Sequence, residues 1–123
     1  DAEVTRCFDG IVTATAAMRR ALDRGNWPTA AAALADEWRT RKQLAPGVTT
    51  PEIDALLAAA MAAGAWAGKV CGAGGGGCLF VLAPPEAIGT VRAAWSQAGA
   101  TVLDAVVESR GVIVTEERHA PTT

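Results

Sequence analysis

The sequence predicts an α+β domain with the order ααα-ββ-α-ββ, a four-stranded antiparallel sheet carrying its helices on one face. Two observations point there. Apolar residues recur at helical spacing through the first half of the chain and again after Pro85, and the intervening and final segments are short, β-branched and punctuated by glycine. Helices grouped apart from short strands, rather than alternating with them, indicate α+β and not α/β.

The first helix is expected over Val4 to Arg24. Val4, Phe8, Ile11, Val12, Thr15, Met18, Ala21 and Leu22 form its apolar stripe, Arg19, Arg20 and Arg24 load its last turn, and Gly25 closes it. Asn26 is an N-cap candidate with Pro28 in the first turn of a second helix, running to about Leu44 and ended by Ala45-Pro46-Gly47. Thr50-Pro51-Glu52 opens a third, with Ile53, Leu56, Leu57, Ala60 and Met61 inward and Gly64 as its stop. Glu52 and Asp54 in its first turn complement the helix dipole. Trp66–Cys71 and Cys78–Ala83 then read as strands. Pro84-Pro85-Glu86 starts a fourth helix with Ile88, Val91, Ala94, Trp95 and Ala98 inward. Thr101–Val107 and Val112–Thr115, joined by Glu108-Ser109-Arg110-Gly111, read as a closing hairpin, and a polar tail covers 117–123.

The chain has 123 residues, half of them apolar, a fifth charged, and a net charge of −2. That balance suits one ordinary globular domain, assigned to residues 1–116, and offers no basic patch for nucleic acid. No stretch has the ~20 unbroken apolar residues of a membrane span. Cys7, Cys71 and Cys78 lack paired spacing and His119 stands in the tail, so no metal site is expected. Reduced thiols suit a cytoplasmic protein. The chain starts at Asp1 without an initiator methionine and already reads as helix there, so it is expected to be a fragment of a longer protein.

The chemistry-bearing segment is Lys69-Val70-Cys71-Gly72-Ala73-Gly74-Gly75-Gly76-Gly77-Cys78-Leu79-Phe80, with five glycines in six positions. Glycine is entropically costly to order, so such a cluster implies left-handed backbone or a close approach to the main chain. Gly72-x-Gly74-x-x-Gly77 has the spacing of a dinucleotide fingerprint, but a strand-like run follows instead of a helix, and no Gly-Lys-Ser/Thr makes it a Walker A loop. It reads as strand, glycine loop, strand. Amides without side chains can wall an anion site; the plainer alternative is a hairpin that simply turns the chain.

That segment resembles the third signature motif of the GHMP kinases, the galacto-, homoserine, mevalonate and phosphomevalonate kinases. Upstream, Trp38-Arg39-Thr40-Arg41-Lys42-Gln43-Leu44-Ala45-Pro46-Gly47-Val48-Thr49-Thr50-Pro51-Glu52-Ile53-Asp54 is similar to the branch acting on D-glycero-D-manno-heptose 7-phosphate. The resemblance covers about Leu34 to Val114. It implies a ferredoxin-like C-terminal domain of a two-domain kinase that transfers the γ-phosphoryl group of ATP to a sugar or sugar phosphate. It further implies that ATP, Mg2+ and the catalytic residues are held mainly by an N-terminal domain outside this chain, which alone is expected to be inactive. Gly72, Ala73, Gly74, Gly75, Gly76 and Gly77 would support the phosphates, and Lys69 with Arg41 or Lys42 would meet a substrate phosphate. Trp38, Trp66 and Trp95 are core candidates, Trp66 also a pocket wall. Cys71 and Cys78 are expected as small buried hydrophobes rather than a redox pair. A non-catalytic metabolite-binding module and a dimerisation domain are the competing classes, and a homodimer is open to the kinase as well.

Overall fold

The computed structural model describes residues 1–72 and 74–120. The element order is α1 (Ala2–Asp23), α2 (Trp27–Arg41), α3 (Pro51–Ala62), β1 (Ala67–Val70), β2 (Leu79–Leu82) and α4 (Ile88–Gln97), with a short 3-10 turn, Pro85–Ala87, leading into α4. The caps lie where the sequence puts them. Asn26 Oδ1 accepts from the Thr29 amide at 3.2 Å, and Thr50 Oγ1 accepts from the Ile53 amide at 3.2 Å, each beside a proline in the first turn. Asp1 also caps α1 through the Glu3 amide, which composition alone does not reveal.

α1 and α2 form an antiparallel pair whose interface is built from small residues. Cys7, Ala14 and Ala21 of α1 and Ala30, Ala31, Ala33 and Leu34 of α2 are buried. A Cβ at Gly10 would lie 2.9 Å from the Thr40 methyl, so the two backbones run closer there than a side chain permits. The buried face of α1 is therefore the Cys7–Ala14–Ala21 line with Ile11 and Met18 beside it. Phe8, Val12 and Leu22, expected inward, are 47–68% exposed. The larger side chains form a second stripe because close helix packing selects the smaller ones.

The sheet is an antiparallel hairpin of β1 and β2, with Ala67 opposite Leu82, Gly68 opposite Val81, Lys69 opposite Phe80 and Val70 opposite Leu79. Successive residues face opposite sides. Ala67 packs in a cluster with Ala31 and Leu34, joined by Met18, Ala35 and Leu82, so this side faces α1 and α2. Val70 packs with Trp38, Ile53 and Leu57, joined by Val48, Leu79 and Val81, so the other side faces α3. Helices cover both faces of the hairpin rather than one.

Two expected strands are not formed. Thr101–Val107 and Val112–Thr115 carry no ladder, and Val106, Val107 and Val112 are 94–97% exposed. The chain only bends between them, with Arg110 N–H donating to Glu108 Oε1 at 2.8 Å and Gly111 at φ +71°. The sheet is thus two-stranded, not four-stranded. β-branched composition measures fit to a half-buried pleated surface, and a segment with no strand and no core beside it gains nothing from that fit. The Arg92–Asp104 ion pair ties this region back to α4. α4 itself leans on α3, with Val91 buried and Trp95 Nε1 donating to the Leu56 carbonyl at 2.8 Å.

Gly68 is the tightest point of the core. A Cβ there would come within 2.5 Å of the Val81 side chain and 2.8 Å of Leu57. Gly68→Ala is expected to cost about 2 kcal/mol by overpacking, read as a lower urea midpoint, whereas Gly89→Ala, with open space around it in α4, should leave the midpoint unchanged or raise it.

Candidate functional site

The hairpin places the glycine loop at the end of β1 and β2 remote from Trp66. Gly72, Gly74, Gly75, Gly76 and Gly77 all have positive φ, from +76° to +155°. Ala73 lies outside the described residues. This is the left-handed backbone anticipated for the run, and a side chain at any of the five would be strained. A two-residue turn would need at most two such glycines.

A second loop supports the first. The Gly75 amide donates to the Val48 carbonyl at 2.9 Å, and a Cβ at Gly74 would collide with that same carbonyl. Val48 lies between α2 and α3, in the stretch that Thr50 caps, and Thr49 Oγ1 donates to Asp54 Oδ1 at 2.6 Å. Asp54 therefore holds the supporting loop onto α3, consistent with a structural role. The Gly76 and Gly77 amides have no backbone partner among the described residues.

At the base of the loop sits a charge cluster that sequence reasoning missed. Glu37, 8% exposed, is the buried charged residue of the core. Its Oε1 accepts from Arg41 Nε at 2.7 Å, and its Oε2 meets the Lys69 ammonium at 2.7 Å as a charge contact without good hydrogen-bond alignment. Burial pushes the Glu37 carboxyl up, but the Arg41 hydrogen bond and the close positive charges of Lys69 and Arg41 outweigh it and hold the carboxyl below its ordinary value of 4.5. The available signal was Glu37-x-x-x-Arg41 at i, i+4 on the apolar side of α2, between Leu34 and Trp38.

Of the expected phosphate-binding cations, Lys69 and Arg41 are brought together and Lys42 is set apart. Lys69 and Arg41 line a cavity of about 480 Å³ with Glu37, Cys71, Gly72 and the apolar side chains of Ile11, Met18 and Phe80. Lys42 instead lies 5.6 Å from the Trp38 ring centroid and lines a different cavity of about 370 Å³, with Arg39, Asp54 and Trp66. Trp38 is core, as expected. Trp66 is 40% exposed, so it walls that second cavity instead of filling the core. Cys71 and Cys78, expected buried, are both exposed; Cys7 is the buried thiol. Among the described residues no group of three or more potential metal ligands occurs, and no helix is long and apolar enough to cross a membrane.

Comparison with known proteins decides the family. The model of the GHMP kinase C-terminal domain matches residues 18–101, more than half of the chain and all of the hairpin and its loop. The chain belongs to the GHMP kinase family. Among proteins similar to it, the mevalonate kinase of Thermococcus onnurineus is 40% identical over 70 residues, 57% of this chain and 21% of that protein. The D-glycero-alpha-D-manno-heptose 7-phosphate kinase of Campylobacter jejuni is 35% identical over 68 residues, 55% of this chain and 20% of that protein. A shorter match of 38 residues, 53% identical, links it to the mevalonate kinase of Pyrococcus furiosus, covering 31% of this chain and 11% of that protein. The chain thus spans about a fifth of the length of the two longer-matching relatives. In this GHMP kinase domain the glycine loop lies within the matched residues, and the Glu37 cluster ties the β1 strand that leads into it to α2.

Glu37→Gln leaves two cations at a buried position without their counter-charge. It should cost about 2 kcal/mol, less than a fully buried pair because Arg41 stays a quarter exposed. Since the folded carboxyl titrates below the unfolded one, its contribution is present above the ordinary value of 4.5 and lost as pH falls through the depressed value. Urea titrations of wild type and variant should therefore differ at pH 7 and converge in acid.

Proposed function

We propose that this chain is the C-terminal lobe, residues 1–116 with a polar tail at 117–123, of an ATP-dependent kinase. Such a kinase would transfer the γ-phosphoryl group of ATP to a hydroxyl of a small anionic substrate. The observation that carries this reading is the seated glycine loop, five left-handed glycines anchored on Val48 beside the Lys69–Glu37–Arg41 cluster. Phosphoryl transfer depends on positioning and on charge stabilisation by preset dipoles, and a rigid loop of bare amides supplies both.

Gly72–Gly77 would form a wall of the phosphate site. Lys69 and Arg41, sharing one carboxylate, would present a net positive charge toward the substrate's anionic group, while the apolar wall of Ile11, Met18 and Phe80 takes its carbon body. Of the two alternatives beside Lys69, Arg41 is the one this reading uses, since Lys42 lines the other cavity. ATP, Mg2+ and the groups that hold them would belong mainly to an N-terminal domain that completes the site, so this chain alone would turn nothing over. The resemblance over Trp38–Asp54 favours D-glycero-D-manno-heptose 7-phosphate as substrate, and mevalonate stands equally on the names of the relatives. Both are hydroxylated anions, and the setting would be cytoplasmic.

The test is ADP release by the full-length protein with ATP, Mg2+ and either heptose 7-phosphate or mevalonate. One of the two should support turnover, and Gly74→Ala should lower kcat by about tenfold to a hundredfold through displacement of the loop. Gly111→Ala, also at a positive φ but with nothing within 4 Å of the added Cβ, should not. Absence of turnover with both, and with a wider panel of sugars, sugar phosphates and hydroxy acids, would reject the reading.

A further inference from the structure

Cys71 and Cys78 stand at the two feet of the glycine loop. The β1–β2 register pairs Val70 with Leu79, so the next rung sets Cys71 directly opposite Cys78. One of the two bonds of that rung is made, the Cys71 amide donating to the Cys78 carbonyl at 2.8 Å, at the point where the ladder ends. Directly opposed residues of an antiparallel pair project from the same face, and a hydrogen-bonded rung holds its Cα atoms about 5.5 Å apart. That lies inside the Cα separation a disulfide spans, commonly ~5.5–6 Å. Both side chains are exposed, while Cys7 is buried against the α2 side, with its Sγ 4.0 Å from Gln43 Oε1.

We propose that Cys71 and Cys78 are a reversible redox-modification site, forming an intrachain disulfide that closes a ring over Gly72–Gly77. The oxidant is a low-molecular-weight disulfide such as oxidised glutathione. The Cys71 thiolate attacks one sulfur of it, releasing the first glutathione thiolate and leaving a mixed disulfide on Cys71. The Cys78 thiolate then attacks the Cys71 sulfur and expels the second glutathione. Two protein thiols are oxidised, one oxidised glutathione is reduced to two thiols, and the protein loses two hydrogens. Which cysteine attacks first is interchangeable, because both are exposed.

The pair is matched to reversible chemistry. Directly opposed Cβ atoms lie about 4.5–5.5 Å apart, toward the far end in a hydrogen-bonded rung, and a relaxed disulfide draws them to ~3.5–4.5 Å. The bond therefore pulls on the end of the ladder, which makes it easier to reduce. The neighbouring glycines allow the pull, since Gly72 and Gly77 have nothing within 4 Å of a Cβ position. Once formed, the ring removes freedom from a loop whose other fixed point is the Gly75–Val48 hydrogen bond. This inference stands on the register and exposure alone and does not depend on the kinase reading.

The experiment is incubation of the folded protein with oxidised glutathione, blocking of remaining thiols, and peptide mapping by mass spectrometry. The expected product is a monomer whose Cys71 and Cys78 peptides are joined, lighter by two hydrogens and restored by dithiothreitol. Cys71→Ser and Cys78→Ser should each stop at one stable glutathione adduct on the remaining partner. Separate glutathione adducts on both cysteines of the wild type, disulfide-linked dimers, or thiols that iodoacetamide alkylates but glutathione leaves untouched would each overturn the proposal. The wild-type map decides the matter even where a serine variant folds poorly.

Discussion

The contact on which the site depends is the bridge that Glu37 makes between Arg41 of its own helix and Lys69 of β1. Hydrophobic packing holds the hairpin between α2 and α3, but packing of Ala67 and Val70 is tolerant of small slides along the helix. A buried carboxylate gripped by two cations is not, because any slide leaves a charge desolvated and unpaired. The bridge thus pins the end of β1 next to the glycine loop, at the place where α2 and the hairpin would otherwise be free to adjust. It also decides how much positive charge faces the neighbouring cavity, since one carboxylate is shared by two cations.

The glycine loop depends on that pinning and on a second anchor. Its backbone is held from below by β1 and β2 and from the side by Val48, whose carbonyl occupies the space a Gly74 side chain would need. The loop's five left-handed residues are costly to order, and it is the two anchors that make one conformation win. A loop fixed in this way has its amides oriented before any ligand arrives, which is the condition for electrostatic preorganisation. The mobility that five glycines would otherwise confer is thereby restricted to the stretch between its anchors.

Much of this was legible in the sequence because the signals were local. Asn26, Thr50, Pro28, Pro51, Gly25 and Gly64 mark helix ends by chemistry that acts within one turn, and all lie where the caps and stops are. The glycine run likewise announced a left-handed loop between two strands. What failed to be legible was what depends on partners distant in the chain. Val106, Val107 and Val112 have the composition of strand residues, yet no neighbour pairs with them. Phe8 and Val12 had the right period for burial, but the close α1–α2 approach at Gly10 favoured the alanine and cysteine line instead. Glu37 looked like an ordinary helix glutamate, and only the arrival of Lys69 from the hairpin makes it a centre. With only Lys69 near them to activate a thiol, Cys71 and Cys78 have the sequence setting of small buried hydrophobes, whereas the ladder ends there and leaves them in solvent.

The central claim is that the Gly72–Gly77 loop forms a wall of a phosphate site completed by the rest of a kinase. Amide hydrogen exchange of the full-length protein, with and without a non-hydrolysable ATP analogue and substrate, tests it most directly. The account predicts slower exchange at Gly76 and Gly77, whose amides have no backbone partner among the described residues, with the Gly75 amide slow in both states. Loop amides that exchange at the same rate with and without both ligands, under conditions where binding is measured independently, would contradict it.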